Sequence, residues 1–145
     1  MDRLEELRIW FESAPLGEKF PMTIKGLSSG YAEVSMEVRR DYLVPAGPKM
    51  IVQGGVLAVL ADAAAVLAAM SMLPEGHTPL AYISCDLLSP TTLLDFQLLA
   101  EARVLTQNKK WIWVSVTVFG RGTPPADGDN CKAIVSAKFA KPKQV

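Results

Sequence analysis

QGGVLAVLADAAAVLAAMSM, from Gln53 to Met72, contains one charged residue, Asp62. It opens on Gly54-Gly55 and closes just before Pro74-Glu75-Gly76, a helix stop. A helix that is apolar around its whole circumference is a buried helix. Ala58, Ala61, Ala65, Ala68 and Ala69 keep its surface thin, so a sheet or a second helix can approach closely. The predicted central helix spans residues 53–73. A carboxylate alone in such a helix is costly to desolvate. Asp62 therefore needs a structural partner, such as a loop to cap or an arginine in a subunit interface, or else a chemical task.

The flanking sequence reads as strands that can wrap this helix. Tyr31 to Val38 alternates, with Ala32, Val34, Met36 and Val38 on one side and Tyr31, Glu33, Ser35 and Glu37 on the other. Phe20 to Gly26 is a possible first strand. Arg39 to Met50, broken by Pro45, Gly47 and Pro48, reads as a loop. After the helix come four strand candidates: Pro79 to Leu88, Leu93 to Thr106, Lys110 to Arg121 and Asn130 to Ala140. Their lengths suggest an antiparallel meander. Gln107-Asn108-Lys109 reads as a tight hairpin in which Asn108 tolerates positive φ, and Gly122 to Gly128 as the next turn. Ile112, Val114, Val116 and Val118 share one face, while Trp111, Trp113 and Phe119 make the other largely apolar, which suggests association with another subunit. Residues 1–14 form an acidic, amphipathic N-terminal helix with Leu4, Leu7 and Phe11 on one face. Residues 141–145 read as a loose tail.

The 145 residues suit one α+β domain, an antiparallel sheet around one long helix. Lys+Arg and Asp+Glu number 15 each, so the chain has no global attraction for nucleic acid or anionic lipid. Cys85 and Cys131 stand far apart, with no CxxC and no Cys/His cluster. That pattern fits reduced thiols in a cytoplasmic protein, without a metal site or a cofactor. The central stretch approaches the roughly 20 apolar residues that a bilayer span needs. Asp62, the two glycines, its alanine content and the alternating strands that follow argue against a span.

Backbone N–H groups at Gly54-Gly55, at the positive end of a helix dipole, suit an oxyanion hole. Glycine leaves the approach open. Asp62 lies seven residues beyond Gly55, about two turns and about 10 Å along the axis. One carbonyl carbon cannot touch both. Two antiparallel helices in a dimer could bring the glycine of one to the aspartate of the other.

QGGVLAVLADAAAVLAA resembles the central-helix signature of hotdog-fold acyl-CoA thioesterases of the phenylacetic-acid-pathway type. Gly54, Gly55, Leu60, Asp62 and Ala64 match in place. Ile83 to Pro90, ISCDLLSP, resembles the strand after the helix, and Ala100 to Val114, AEARVLTQNKKWIWV, the following hairpin. The resemblance implies a hotdog fold, assembled into dimers and often tetramers, that hydrolyses acyl-CoA. It gives Asp62 the role of nucleophile or general base, and gives the Gly55 N–H that of carbonyl donor. Three positions depart from the pattern. The family's His is Gln53, which donates a hydrogen bond but takes up no proton. An Asn or Gln six residues earlier falls at Gly47. A Ser or Thr after the helix aligns near Leu80, with Thr78 close by. These departures leave open a non-catalytic module that binds acyl-CoA or an acyl-carrier protein. His77, in the PEGHTP turn, reads as an exposed turn residue. The CoA phosphates need local cations. Gly54, Thr78, Lys109, Lys110 and Arg121 are the substrate-binding candidates, with Arg39, Arg40, Arg103 and Lys132 as further cations.

Overall fold

The computed structural model describes residues 1–122 and 130–143. Asp2 caps the first helix, α1 (Arg3–Glu12), its carboxylate accepting from the Glu5 N–H at 2.9 Å. A single turn, α2 (Leu16–Lys19), leads into β1 (Met22–Ser28) and β2 (Tyr31–Glu37). Two short strands, β3 (Leu43–Ala46) and β4 (Lys49–Val52), then form a separate hairpin. The long helix α3 (Gly54–Met70) follows, then β5 (Leu80–Leu87), β6 (Asp95–Gln107), β7 (Trp111–Gly122) and β8 (Asn130–Ala140).

Six strands make one antiparallel sheet in the order β1-β2-β6-β7-β8-β5. The sheet wraps α3. Ala32, Val34 and Met36 of β2 face the helix with Leu98, Ala100 and Ala102 of β6, and so do the four aliphatic residues of β7. Ala133, Val135, Ala137 and Phe139 of β8 complete this layer. Leu60, Ala61, Ala64, Ala65, Leu67 and Ala68 meet it with no exposed surface. Alanines on both sides of the contact allow the close approach that the helix composition predicted. Truncating a buried leucine such as Leu60 should cost about 2–5 kcal/mol. Register shifts at Ile24/Gly26, Leu80/Tyr82 and Val104/Thr106 bend the sheet around the helix.

Three sequence expectations change. The segment predicted as a loop over Arg39 to Met50 holds a 3-10 turn (Arg40–Tyr42) and the β3–β4 hairpin. The last four strands are not one meander: β6, β7 and β8 are consecutive neighbours, but β5 crosses to the far edge and pairs with β8. Asn108 does not use positive φ, which among the described residues only Gly30, Gly47 and Gly76 adopt. Instead its Oδ1 accepts from the N–H groups of Lys110 (2.8 Å) and Trp111 (2.9 Å), so the side chain closes the turn. The outer face of β7 is half-buried, and Trp111 is covered by Lys138 Nζ, 4.5 Å from its ring centroid. Most of the predicted Gly122–Gly128 turn lies outside the described residues.

Arg3 ties α1 to the far end of α3. Its Nε donates to the Met70 carbonyl at 3.3 Å, and a terminal nitrogen donates to the Gly76 carbonyl. A cation at a helix C-terminus satisfies carbonyls that have no partner within the helix. Leu7, the buried residue of α1, is 2% exposed and belongs to the main core. Lys141 is held by its N–H, which donates to the Lys110 carbonyl at 2.8 Å. Among the described residues no helix is long and apolar enough to cross a membrane.

Candidate active site

Gln53 is the N-cap of α3. Its side-chain Oε1 turns back to accept the Gly55 N–H at 3.2 Å. The donor that suited an oxyanion hole is therefore engaged within its own chain. With Oε1 on the Gly55 N–H, the carboxamide NH2 is left as a donor with no hydrogen-bond partner among the described residues. A side chain at either glycine would force a neighbouring side-chain end to shift. A Cβ on Gly54 would meet Leu87 Cδ1 at 2.6 Å, and one on Gly55 would meet Gln53 Oε1 at 2.8 Å.

Asp62 lies two turns further on. It is half-buried, and its Oδ1 is fully enclosed with no hydrogen-bond partner among the described residues. Burial pushes its carboxyl above the ordinary aspartate range. No arginine or loop among the described residues takes that oxygen as a structural partner. Asp62 opens into a cavity of about 610 Å³ between α3 and the N-terminal segment. Val59, Ala63 and Val66 flank it on one face of α3, opposite Trp10, Phe11, Leu16 and Met22.

Gln53, Gly54 and Gly55 do not line this cavity. In one protomer, the helix start and the carboxylate stay apart by the two turns that their spacing implies.

The other candidates are dispersed. Thr78 is buried beyond the helix end, its Oγ1 without a partner among the described residues, and is not part of the cavity wall. Lys109 and Lys110 are exposed in the β6–β7 turn. That turn shares an end of the molecule with the C-terminus of α3, because Gly30 joins Val104 of β6 to Ser71 just past the helix. Arg121 is exposed at the opposite end, paired in register with Gln97. Arg39 and Arg40 are exposed, and Arg103 lies over the Tyr31 ring at 4.7 Å. Lys132 is not a phosphate ligand. It is 6% exposed, its Nζ lies 3.2 Å from Asp95 Oδ2, and it donates to the Pro90 carbonyl at 3.1 Å. His77 is exposed and rests against Trp10, with ring centroids 5.9 Å apart. Both cysteines are free, and burial followed by the Asp86 charge pushes the Cys85 thiol up. Among the described residues no cluster of His, Cys, Asp or Glu could hold a metal.

Sequence reading missed the wall that the N-terminal segment builds over Asp62. The signal was there in Trp10 and Phe11, apolar residues that an isolated short helix has no reason to carry together.

Comparison with known proteins agrees with this architecture. A thioesterase family protein from Silicibacter pomeroyi superposes with a TM-score of 0.83 at 18% identity, over 94% of this chain and 95% of that one. The Escherichia coli PaaI protein of the phenylacetic acid degradation operon gives 0.79 at 20% identity, over 97% and 94%. A variant of the phenylacetic acid degradation protein PaaI from Thermus thermophilus gives 0.73 at 23%, over 88% and 99%. These likenesses show the hotdog fold. No curated protein matches the sequence. The family model described as the thioesterase superfamily matches residues 51–124, just over half of the chain and the whole of α3. The chain belongs to the thioesterase superfamily.

Proposed function

We propose that the protein is an acyl-CoA thioesterase whose site is shared by two subunits, Asp62 coming from one and the start of α3 from the other. The observation that carries this reading is the Asp62 carboxyl on the wall of a largely apolar cavity, with one of its oxygens enclosed and unpaired among the described residues. A carboxyl raised by burial is a stronger base than an exposed one, and base strength is what general-base catalysis uses. Asp62 takes a proton from water as the water oxygen adds to the thioester carbonyl carbon. The oxyanion forms at the α3 N-terminus, where the helix dipole and the Gln53 carboxamide NH2 stabilise it. Collapse breaks the carbon–sulfur bond, and the departing thiolate takes the proton back from Asp62. Direct attack by Asp62 would instead give a mixed anhydride, and only its hydrolysis at the Asp62 carboxyl carbon, not at the acyl carbon, would place oxygen from labelled water in the protein during a single turnover.

About 10 Å of helix separates Gly55 from Asp62, so a second subunit must close the site. A twofold axis with antiparallel helices brings the C-terminal end of one α3 to the start of the other. Lys109 and Lys110 would then stand near the partner subunit's Gly55, where the CoA phosphates need cations. Arg121 lies at the helix-start end of its own protomer.

A second reading, a non-catalytic acyl-CoA or acyl-carrier-protein binder, draws support from the Gln53–Gly55 contact, which occupies the backbone donor. Thiol release from a panel of acyl-CoAs separates the two. The enzyme reading expects turnover by the wild type and none by a folded Asp62→Asn variant. Activity retained in Asp62→Asn overturns it. Ligand-induced stabilisation with no turnover on any thioester selects the binder.

A further inference from the structure

We infer that the N-terminal segment, α1 with the turn into α2, is the wall that selects the acyl group, and that the group it selects is apolar and uncharged. This inference rests on the reading that Asp62 acts on a thioester. The cavity beside Asp62 has two sides. One is the flank of α3, where Val59, Ala63 and Val66 surround the carboxylate. The other is the N-terminal segment, with Trp10, Phe11, Leu16 and Met22 facing it. Its volume of about 610 Å³ is that of a ligand pocket rather than a packing gap.

Charge decides which end of the substrate enters. The charged side chains on the wall, Glu12, Glu18 and Asp62, are all acidic, and among the described residues no lysine, arginine or histidine lines it. A pyrophosphate would meet only like charge there, so the cavity cannot hold the nucleotide end of CoA. It takes the acyl end. The same argument rejects acyl groups with a second carboxylate, such as succinyl. An apolar wall accepts an alkyl or aryl group by desolvation.

Arg3 acts as a positioning residue for this wall. Its bonds to the Met70 and Gly76 carbonyls, with Leu7 buried beneath, fix where α1 lies relative to α3.

The test compares kcat/KM for acetyl-, decanoyl- and succinyl-CoA, and Kd for the unreactive thioethers S-methyl-CoA and S-decyl-CoA. The wild type runs beside Trp10→Ala, Ala63→Leu and Asp62→Asn. Trp10 is 37% exposed, so its removal leaves the core intact; Ala63→Leu fills the cavity from the opposite side. The wild type should prefer decanoyl-CoA and disfavour succinyl-CoA. Both wall variants should weaken decanoyl turnover and S-decyl-CoA binding by about tenfold or more, the scale of discrimination by apolar pocket contacts. The ratio of decanoyl- to acetyl-CoA kcat/KM, and of S-decyl- to S-methyl-CoA affinity, should fall in both. A chain preference unmoved by both wall variants, or succinyl-CoA as the best substrate, overturns the inference even if Asp62→Asn abolishes turnover. Wall-dependent S-decyl-CoA binding in a protein that hydrolyses nothing supports the wall and rejects the catalytic reading.

Discussion

The Gln53 side chain accepts a hydrogen bond from the Gly55 N–H at 3.2 Å, two residues along its own helix. This bond joins two roles that substitution can separate. As a cap, Gln53 needs only an acceptor oxygen. As a carbonyl donor, it needs the NH2 that the bond leaves unpaired. Gln53→Glu keeps the acceptor, adds an anion at the positive end of the dipole, and removes the donor. It should hold or raise thermal stability and lower kcat by about a hundredfold, the usual loss of one oxyanion donor. Gln53→Ala should lose as much rate and also about 1 kcal/mol of stability with the cap. Full activity in Gln53→Glu would assign the carbonyl to backbone donors alone.

Asp62 makes stability depend on pH in a defined direction. Its folded-state pKa is raised by burial, so between the ordinary aspartate value and the raised one the folded chain binds more protons than the unfolded chain. Stability from this group is fully present below the ordinary value and is lost as pH rises through the raised one. Asp62→Asn should therefore melt higher than wild type at neutral pH, and the gap should close as pH falls below the ordinary carboxylate range. Activity should move the other way, because the base works only when ionised. A melting difference that does not change with pH would show that Asp62 is not desolvated as the cavity implies.

Asp95 and Lys132 form a buried ion pair, 7% and 6% exposed, that Gly120 makes room for. A Cβ at Gly120 would lie 2.6 Å from Asp95 Oδ1 and crowd Lys132 Cε. The Asp95 carboxylate also accepts the Thr92 N–H at 3.1 Å, so the pair ties the β5–β6 connection to β8. Removing one partner leaves a buried charge, so Asp95→Asn or Lys132→Met should each cost about 3–5 kcal/mol. The double variant should cost clearly less than the two losses added together, as chemical denaturation of all four proteins would show. Additive losses would mean that the two charges do not depend on each other.

That pair also marks the limit of sequence reading. The helix around Asp62 was legible because a long apolar run without a break leaves no other structure, and β7 because its alternation is sustained. The β3–β4 hairpin was not: its strands are four residues each and sit among Pro45, Gly47 and Pro48, which read as breakers. The crossover of β5 to the far edge is a pairing choice made at long range, and no local pattern encodes it. Lys132 read as a candidate cation for the CoA phosphates because lysine is usually accessible; only the fold shows the carboxylate that lets it be buried. At the site, spacing placed Gly55 and Asp62 two turns apart, but neither the Gln53 cap nor the N-terminal wall follows from spacing.

Strand β5 carries the prediction about assembly. It is an edge strand with large apolar side chains exposed on it, Tyr82 at 57% and Leu87 at 56%. Exposed edges of this kind invite pairing with another chain unless charge or proline blocks them, and β5 has only Asp86 near one end. A twofold pairing of β5 with its counterpart would continue the sheet and set the two α3 helices side by side. Tyr82→Lys combined with Ser84→Lys places like charges across that axis and leaves the core of each subunit untouched. Sedimentation should show a dimer for wild type and a monomer for the double variant, with its circular dichroism spectrum unchanged. If one site takes the α3 start and Asp62 from different subunits, as proposed, turnover should disappear with the dimer. A monomeric variant that keeps full activity would show that one chain holds a complete site. The roughly 10 Å between Gly55 and Asp62 would then have to be bridged by residues of the same protomer.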